Sequence, residues 1–238
     1  MDLFERIAAA QQPPQYPAVA PDVMAAHLRS LTDQQWGRYA FSREPLEGRF
    51  TAEQKDAYTA AAVACGEQWA DTIAAHGQSR DPATLAATMG VRVQRQDIPA
   101  GGGQVLFAQY VEPDEITVFT DCLDRAAELG AALPPRAQLE TILLAHELFH
   151  VVEAQNADTI YTRCETIELW RRPFHNRSHI ICLSEIAAMA FARRLLGLDY
   201  NPYALDVLLV YPYDANNACG LYDEICELAA ACTAAPVE

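Results

Sequence analysis

The sequence predicts an α+β fold in which helical material comes first, a small antiparallel sheet sits in the middle, and further helices follow. Three observations predict it. The first third contains alanine-rich runs with recognisable caps. Three short strand-like runs cluster between residues 91 and 121. The remainder is mostly apolar runs of helix length, opened by proline or closed by glycine. With 238 residues and an apolar fraction of 51%, the chain can bury a substantial core as one large domain or one domain with an added lobe. The organisation expected is an N-terminal helical extension over residues 1–80 and an α+β domain over residues 81–238.

Taken in order, Pro13, Pro14, Pro17 and Pro21 keep the first twenty residues extended or looped. A short helix is expected from about Asp22 to Gln34. Thr51 and Gln54 form a capping box ahead of a long helix that stops at Gly77, and its many alanines suit close packing. Asp81-Pro82 opens a short helix closed by Gly90. GVRVQRQDI, QVLFAQYV and EITVFTD read as three strands, with a loose turn at Ala100–Gly103 and a tight connection at Glu112–Glu115. After Pro134-Pro135 a helix runs from about Arg136 to Gln155. A less regular stretch follows to Arg177, then a helix SHIICLSEIAAMAFARRLLG ending at Gly197. Asn201-Pro202 starts PYALDVLLVY, YPYDANNACG is a loop, and LYDEICELAAACTA is a terminal helix.

The formal net charge of −15 argues against a surface built to bind nucleic acid, which needs lysines and arginines facing phosphates. No run of eighteen apolar residues is present, so no membrane span is expected, and MDLFERIAAAQQPPQ has neither the basic leader nor the apolar segment of a signal peptide. Seven scattered cysteines with no CxxC pair read as thiols of a reducing, cytoplasmic compartment. Cys219, Cys226 and Cys232 are close enough in sequence to pair in an exported protein.

The chemistry concentrates in ILLAHELFHVVEAQ, residues 142–155. Positions i and i+4 stack on one side of a helix, so His146 and His150 face the same way and can grip one ion, and neutral imidazole suits Zn²⁺. Glu147 lies about 100° around the helix, beside the ion, where a carboxylate can act as a general base without being a ligand. Leu139, Ile142, Leu143 and Phe149 make this helix core-facing, so its polar side chains need partners, and a metal satisfies them. The spacing HExxHxxGxxH is absent, because position 153 is Glu and position 156 is Asn. A third ligand must therefore come from further on: Asp158, Glu165, Glu168, His175, His179 or Glu185. Glu185 is best placed, because Ala188 and Ala192 on its side of the helix permit close approach to the HELFH helix. His179 is a candidate for ligand or for catalytic stabilisation of an oxyanion, and Tyr110 and Tyr161 are weaker candidates for the second role. Glu153 can orient an imidazole.

TLAATMGVRV (84–93), EITVFTD (115–121), ILLAHELFHVV (142–152) and EIAAMAFARRLLGL (185–198), in this order, resemble the ImmA/IrrE family of zinc metallopeptidases over roughly residues 80–210. The resemblance implies a zincin-like fold, zinc on His146, His150 and Glu185, Glu147 as base, and a protein substrate, often a transcriptional repressor. The chain departs from the family at Phe149, where glycine is usual, at Met189, where asparagine is usual, and at Gly197, where proline is usual. No helix-turn-helix is evident at the N-terminus. Phe149 is expected to crowd one side of the site helix.

The function expected is therefore hydrolysis of peptide bonds in a protein or peptide substrate. Glu147 would move a proton from water to the leaving amine, and the substrate chain would extend beside EITVFTD. The alternatives from other classes are a catalytically inactive, zinc-stabilised interaction module and a zinc hydrolase of small amides.

Overall fold

A computed structural model describes residues 14–98, 106–170 and 176–233. The fold is mixed α+β. Near the N-terminus there are two helices where one was expected: α1 (Pro21–Leu28) and α2 (Asp33–Ser42). Thr32 explains the break. Its hydroxyl accepts the Gln35 backbone N–H while the Gln35 side chain accepts from the Thr32 backbone, a complete capping box that begins a new helix. Helix α3 (Ala52–Gly77) has the expected Thr51–Gln54 box, and Gln78 takes the left-handed conformation at its end. Helix α4 (Pro82–Thr88) is capped by Asp81, and Gly90 adopts a positive φ of 75° in the turn into the sheet.

Strands β1 (Arg92–Gln96), β2 (Ala108–Val111) and β3 (Glu115–Phe119) form one sheet in the order β1-β3-β2. The expectation of an antiparallel sheet needs correcting: β2 and β3 are an antiparallel hairpin, but β1 lies parallel to β3, with Val93 opposite Ile116. The chain leaving β1 crosses over β3 before returning as β2, so β3 takes the centre. That position suits its composition, since Ile116, Thr117, Val118 and Phe119 are all buried. The turn expected at Ala100–Gly103 lies outside the described residues.

Helix α5 (Thr120–Ala126) continues directly from β3, a turn of helix that EITVFTD did not signal. Helix α6 (Arg136–Gln155) has the bounds expected of it and carries the HELFH segment. The described residues between 156 and 177 are more regular than expected: a single turn, α7 (Tyr161–Cys164), leads into an antiparallel pair, β4 (Thr166–Trp170) and β5 (Asn176–His179). The helix expected from Ser178 therefore starts only at Cys182, because Asn176–His179 is a strand. Helix α8 (Cys182–Leu196) ends at Gly197 in the left-handed conformation. Helix α9 (Ala204–Leu208) and helix α10 (Ala215–Thr233) complete the chain, the latter starting within the predicted loop.

Helix α6 contacts β2 and β3 of the sheet and also α8, while α3 runs along α8. The alanine-rich sequence of α3 finds its purpose at Gly66, where a Cβ would stand 2.1 Å from the carbonyl oxygen of Ala187. The two backbones meet too closely for any side chain. Phe149 and Phe191 close the core between α6 and α8, with ring centroids 5.7 Å apart and both side chains fully buried. The side of α6 that Phe149 crowds is therefore the core side, against α8. Residues on both sides of position 80 share one hydrophobic cluster, from Met24 and Trp36 through to Ile225. The seven cysteines are free thiols, so the three late ones do not pair. Among the described residues no helix is long and apolar enough to cross a membrane.

Candidate metal centre

Helical spacing brings the two imidazoles of α6 onto one face. His146 and His150 have ring centroids 5.0 Å apart, and their Nε2 atoms are separated by 3.2 Å. Glu185, in the first turn of α8, reaches both: His146 Nε2 lies 3.3 Å from one carboxylate oxygen and His150 Nε2 lies 3.5 Å from the other. One nitrogen or oxygen from each of the three side chains falls within 4.8 Å of the others, an arrangement that can hold a metal ion. Four zinc ligands at 2.0–2.2 Å in a tetrahedron stand about 3.3 Å apart, so the observed separations match the span of such an ion.

The tautomer of His150 follows from its neighbours. Ser184 Oγ lies 3.2 Å from His150 Nδ1 and 3.0 Å from Glu153 Oε2. A carboxylate cannot donate, so the serine hydroxyl donates to Glu153 and accepts from Nδ1–H. The lone pair of His150 is then left on Nε2, facing His146 and Glu185. Glu153 is itself held from behind: the Thr162 hydroxyl donates to it at 2.6 Å and Arg163 Nε lies 3.4 Å away. Burial opposes ionisation of Glu153, but His150, Thr162 and Ser184 outweigh it and keep the carboxyl below its usual range. Ser184, Thr162 and Arg163 were not foreseen. Ser184 directly precedes Glu185, but only the packing of α8 on α6 gives it a role.

His146 and Glu185 shift in opposite senses. Burial disfavours the charged imidazole, yet the Glu185 carboxylate overrides it and lifts His146 to about 9. Burial likewise raises Glu185, and the two histidines override that and bring it down to about 2. Without an ion the charged forms of the two side chains therefore stabilise each other. His146 Nδ1 is buried without a hydrogen-bond partner.

Glu147 lies beside this cluster and is 9% exposed. The backbone N–H of Tyr110 in β2 donates to its Oε2 at 2.7 Å, fixing the carboxylate against the sheet. His146, Glu147, His150 and Glu185 line a groove with Ala108, Gln109 and Tyr110. Its floor is helix and one bank is strand β2. EITVFTD cannot be the bank, because β3 is paired on both sides. The strand along the groove is β2.

No protein-family model, no curated protein and no solved structure matches this chain.

The other candidates fall elsewhere. His179 is exposed at the end of β5, opposite Thr166. It lines a depression together with His150, Ser184 and Glu185, outside the three converging side chains. Asp158 is exposed, and Glu165 and Glu168 sit beyond the cluster, Glu165 accepting from the Thr166 N–H at 3.3 Å. The Tyr110 hydroxyl donates to the Pro113 carbonyl at 2.9 Å and is committed to its own turn. Tyr161 packs against the core. His175 lies outside the described residues. One further residue was not singled out: Asp206 of α9 lines a cavity that also contains His146, Glu147 and Glu185. Burial, opposed by the neighbouring His146, pushes its carboxyl up to about 7. Its sequence signal was a lone acid in the apolar run YALDVLLV.

Proposed function

We propose that this protein is a zinc-dependent metallopeptidase with a zincin-like catalytic domain, acting on a protein or peptide substrate. The observation that carries the reading is the convergence of His146, His150 and Glu185 at 3.2–3.5 Å, with Glu147 held beside them by a backbone hydrogen bond. Two imidazoles and one carboxylate are the donor set of zinc hydrolases that keep a coordination position open. A purely structural site has no use for an adjacent base, and Glu147 is what favours hydrolysis over a zinc-stabilised interaction module.

Zinc, when bound, supplies Lewis acidity to the attacked carbonyl and to the attacking water. Glu147 takes the proton from that water. The Tyr110 N–H keeps one carboxylate oxygen engaged, so the other is directed to the reacting atoms. The same carboxyl then delivers the proton to the leaving amine. Ser184 and Glu153 keep His150 in the tautomer that presents Nε2.

The edge strand β2 supports a peptide in preference to a small amide. Phe107 turns its carbonyl towards β3, where it accepts from the Phe119 N–H at 3.0 Å. Alternation then points the main-chain groups of Ala108 and the carbonyl of Tyr110 outward along the groove, the Tyr110 N–H being taken by Glu147, and an extended chain can pair with them as an added strand.

Glu147→Gln tests the reading. The variant should bind zinc as tightly as the parent and lose hydrolysis of a casein or repressor-like substrate by about 10²–10⁴-fold. Retained turnover removes Glu147 as the base, and absence of any turnover in the zinc-loaded parent on an unbiased peptide library removes the peptidase.

A further inference from the structure

Next to the three converging side chains is a second feature that hydrolysis itself does not use. A cavity of about 240 Å³ opens from the groove on the α9 side. Its walls are apolar, formed by Phe107, Ile142, Leu143, Met189 and Leu205, with Leu106 at 48% exposure. Whole-ligand pockets run roughly 300–1,000 Å³, so the space fits one side chain of a larger molecule. Asp206 contributes a carboxylate to this lining. No hydrogen bond or ion pair reaches that carboxylate from the described residues. His146 and Arg43, the cations within its electrostatic reach, are committed to Glu185 at 3.3 Å and to Glu224 at 2.7 Å.

An apolar lining with one unpartnered acid has a specific complement. An aliphatic side chain filling the cavity would seal the acid away from water with nothing to bond, which burial of a polar group penalises. A side chain with an aliphatic stem and a cationic head covers the walls with its methylenes and meets the acid with its charge. Glu147 and Glu185 on the same lining add negative potential, and the net charge of −15 favours approach of a basic segment.

We propose that the cavity is a specificity subsite for an arginine or lysine side chain flanking the scissile bond, with Asp206 as its counter-charge. The inference rests on the peptidase reading for the words "scissile bond", but the preference itself is a binding property. It is measured by titrating arginine hydroxamate and norleucine hydroxamate calorimetrically into the zinc-loaded full chain and into its Asp206→Asn variant. Both probes carry the same metal-binding group and differ only in the charged head.

The parent should bind the arginine probe at least about tenfold tighter than the norleucine probe, and Asp206→Asn should erase that ratio while leaving norleucine binding within about twofold. Equal affinities in the parent overturn the proposal whether or not the variant folds. An unchanged ratio in the variant, with zinc affinity lowered instead, also overturns it and assigns Asp206 to support of His146. An arginine preference in a protein that hydrolyses no peptide leaves the subsite standing and removes the peptidase. Cleavage without any basic preference does the reverse.

Discussion

His146 Nε2 and His150 Nε2 face each other at 3.2 Å, with the two oxygens of Glu185 closing the third side. Two bare imidazole nitrogens at that distance repel unless a proton or a metal ion lies between them and the carboxylate. One zinc ion per chain should therefore bind, and at a zinc concentration about a hundredfold above Kd it should add about 2.7 kcal/mol of stability. Glu185→Gln should weaken binding by more than about 100-fold. Competition titration against a chromophoric chelator measures both, and unchanged affinity in the variant would transfer the third ligand to another residue, His179 first.

The support of His150 makes a separate prediction. Ser184→Ala removes the oxygen that accepts from Nδ1–H and leaves Glu153 with one fewer donor. Zinc affinity should fall about 10–100-fold, with the thermal unfolding of the metal-free protein shifted much less. Ser184→Thr should restore most of the loss. A variant with unaltered zinc affinity would show that His150 chooses its tautomer without help.

Protonation should compete with the metal. His146 is raised from 6.5 to about 9 in the metal-free fold, so below about pH 9 zinc must displace its proton. Zinc uptake in weakly buffered solution should release about one proton per ion from this residue near pH 7, and apparent affinity should rise with pH and level off above about 9. For the metal-free fold, the raised His146 contributes stability that is complete below pH 6.5 and is lost as pH climbs through about 9. The lowered Glu185 contributes above 4.5 and is lost as pH drops through about 2. The pair therefore stabilises most between pH 4.5 and 6.5. Indicator-dye stopped flow and denaturant titrations across pH check the two halves separately; pH-independent zinc uptake would contradict the first.

Gly66→Ala probes how the site is held from outside. The new Cβ would meet the Ala187 carbonyl oxygen at 2.1 Å and the Phe191 nitrogen at 3.0 Å, both backbone atoms that cannot swing away. Helix α3 must then separate from α8, costing about 1–3 kcal/mol in urea unfolding. Because Ala187 is two residues from Glu185, zinc affinity should fall as well. A neutral substitution would mean that the two helices slide apart freely.

What was legible in the sequence was local. The i,i+4 histidines, the neighbouring glutamate, the Thr51–Gln54 capping box, the Asp81 cap and the left-handed end at Gly197 all depend on contacts within a few residues, and helical periodicity reports those directly. The residue numbers of α6 follow from the same rule. The capping box at Thr32 is equally local, but the continuous apolar patterning from Asp22 to Gln34 hides the break it makes.

What only the tertiary structure decided was everything that joins distant segments. Six acids and histidines were open as the third ligand, and the packing of α8 on α6 brings Glu185 within reach while leaving His179 at the rim. The strand order placed EITVFTD at the centre of a mixed sheet and freed β2, because a crossover between β1 and β2 leaves no mark in hydrophobic alternation. Ser184 and Asp206 acquired their positions in the same way. Periodicity states which face of an element is buried, whereas the partner of that face is chosen by long-range packing of the whole core.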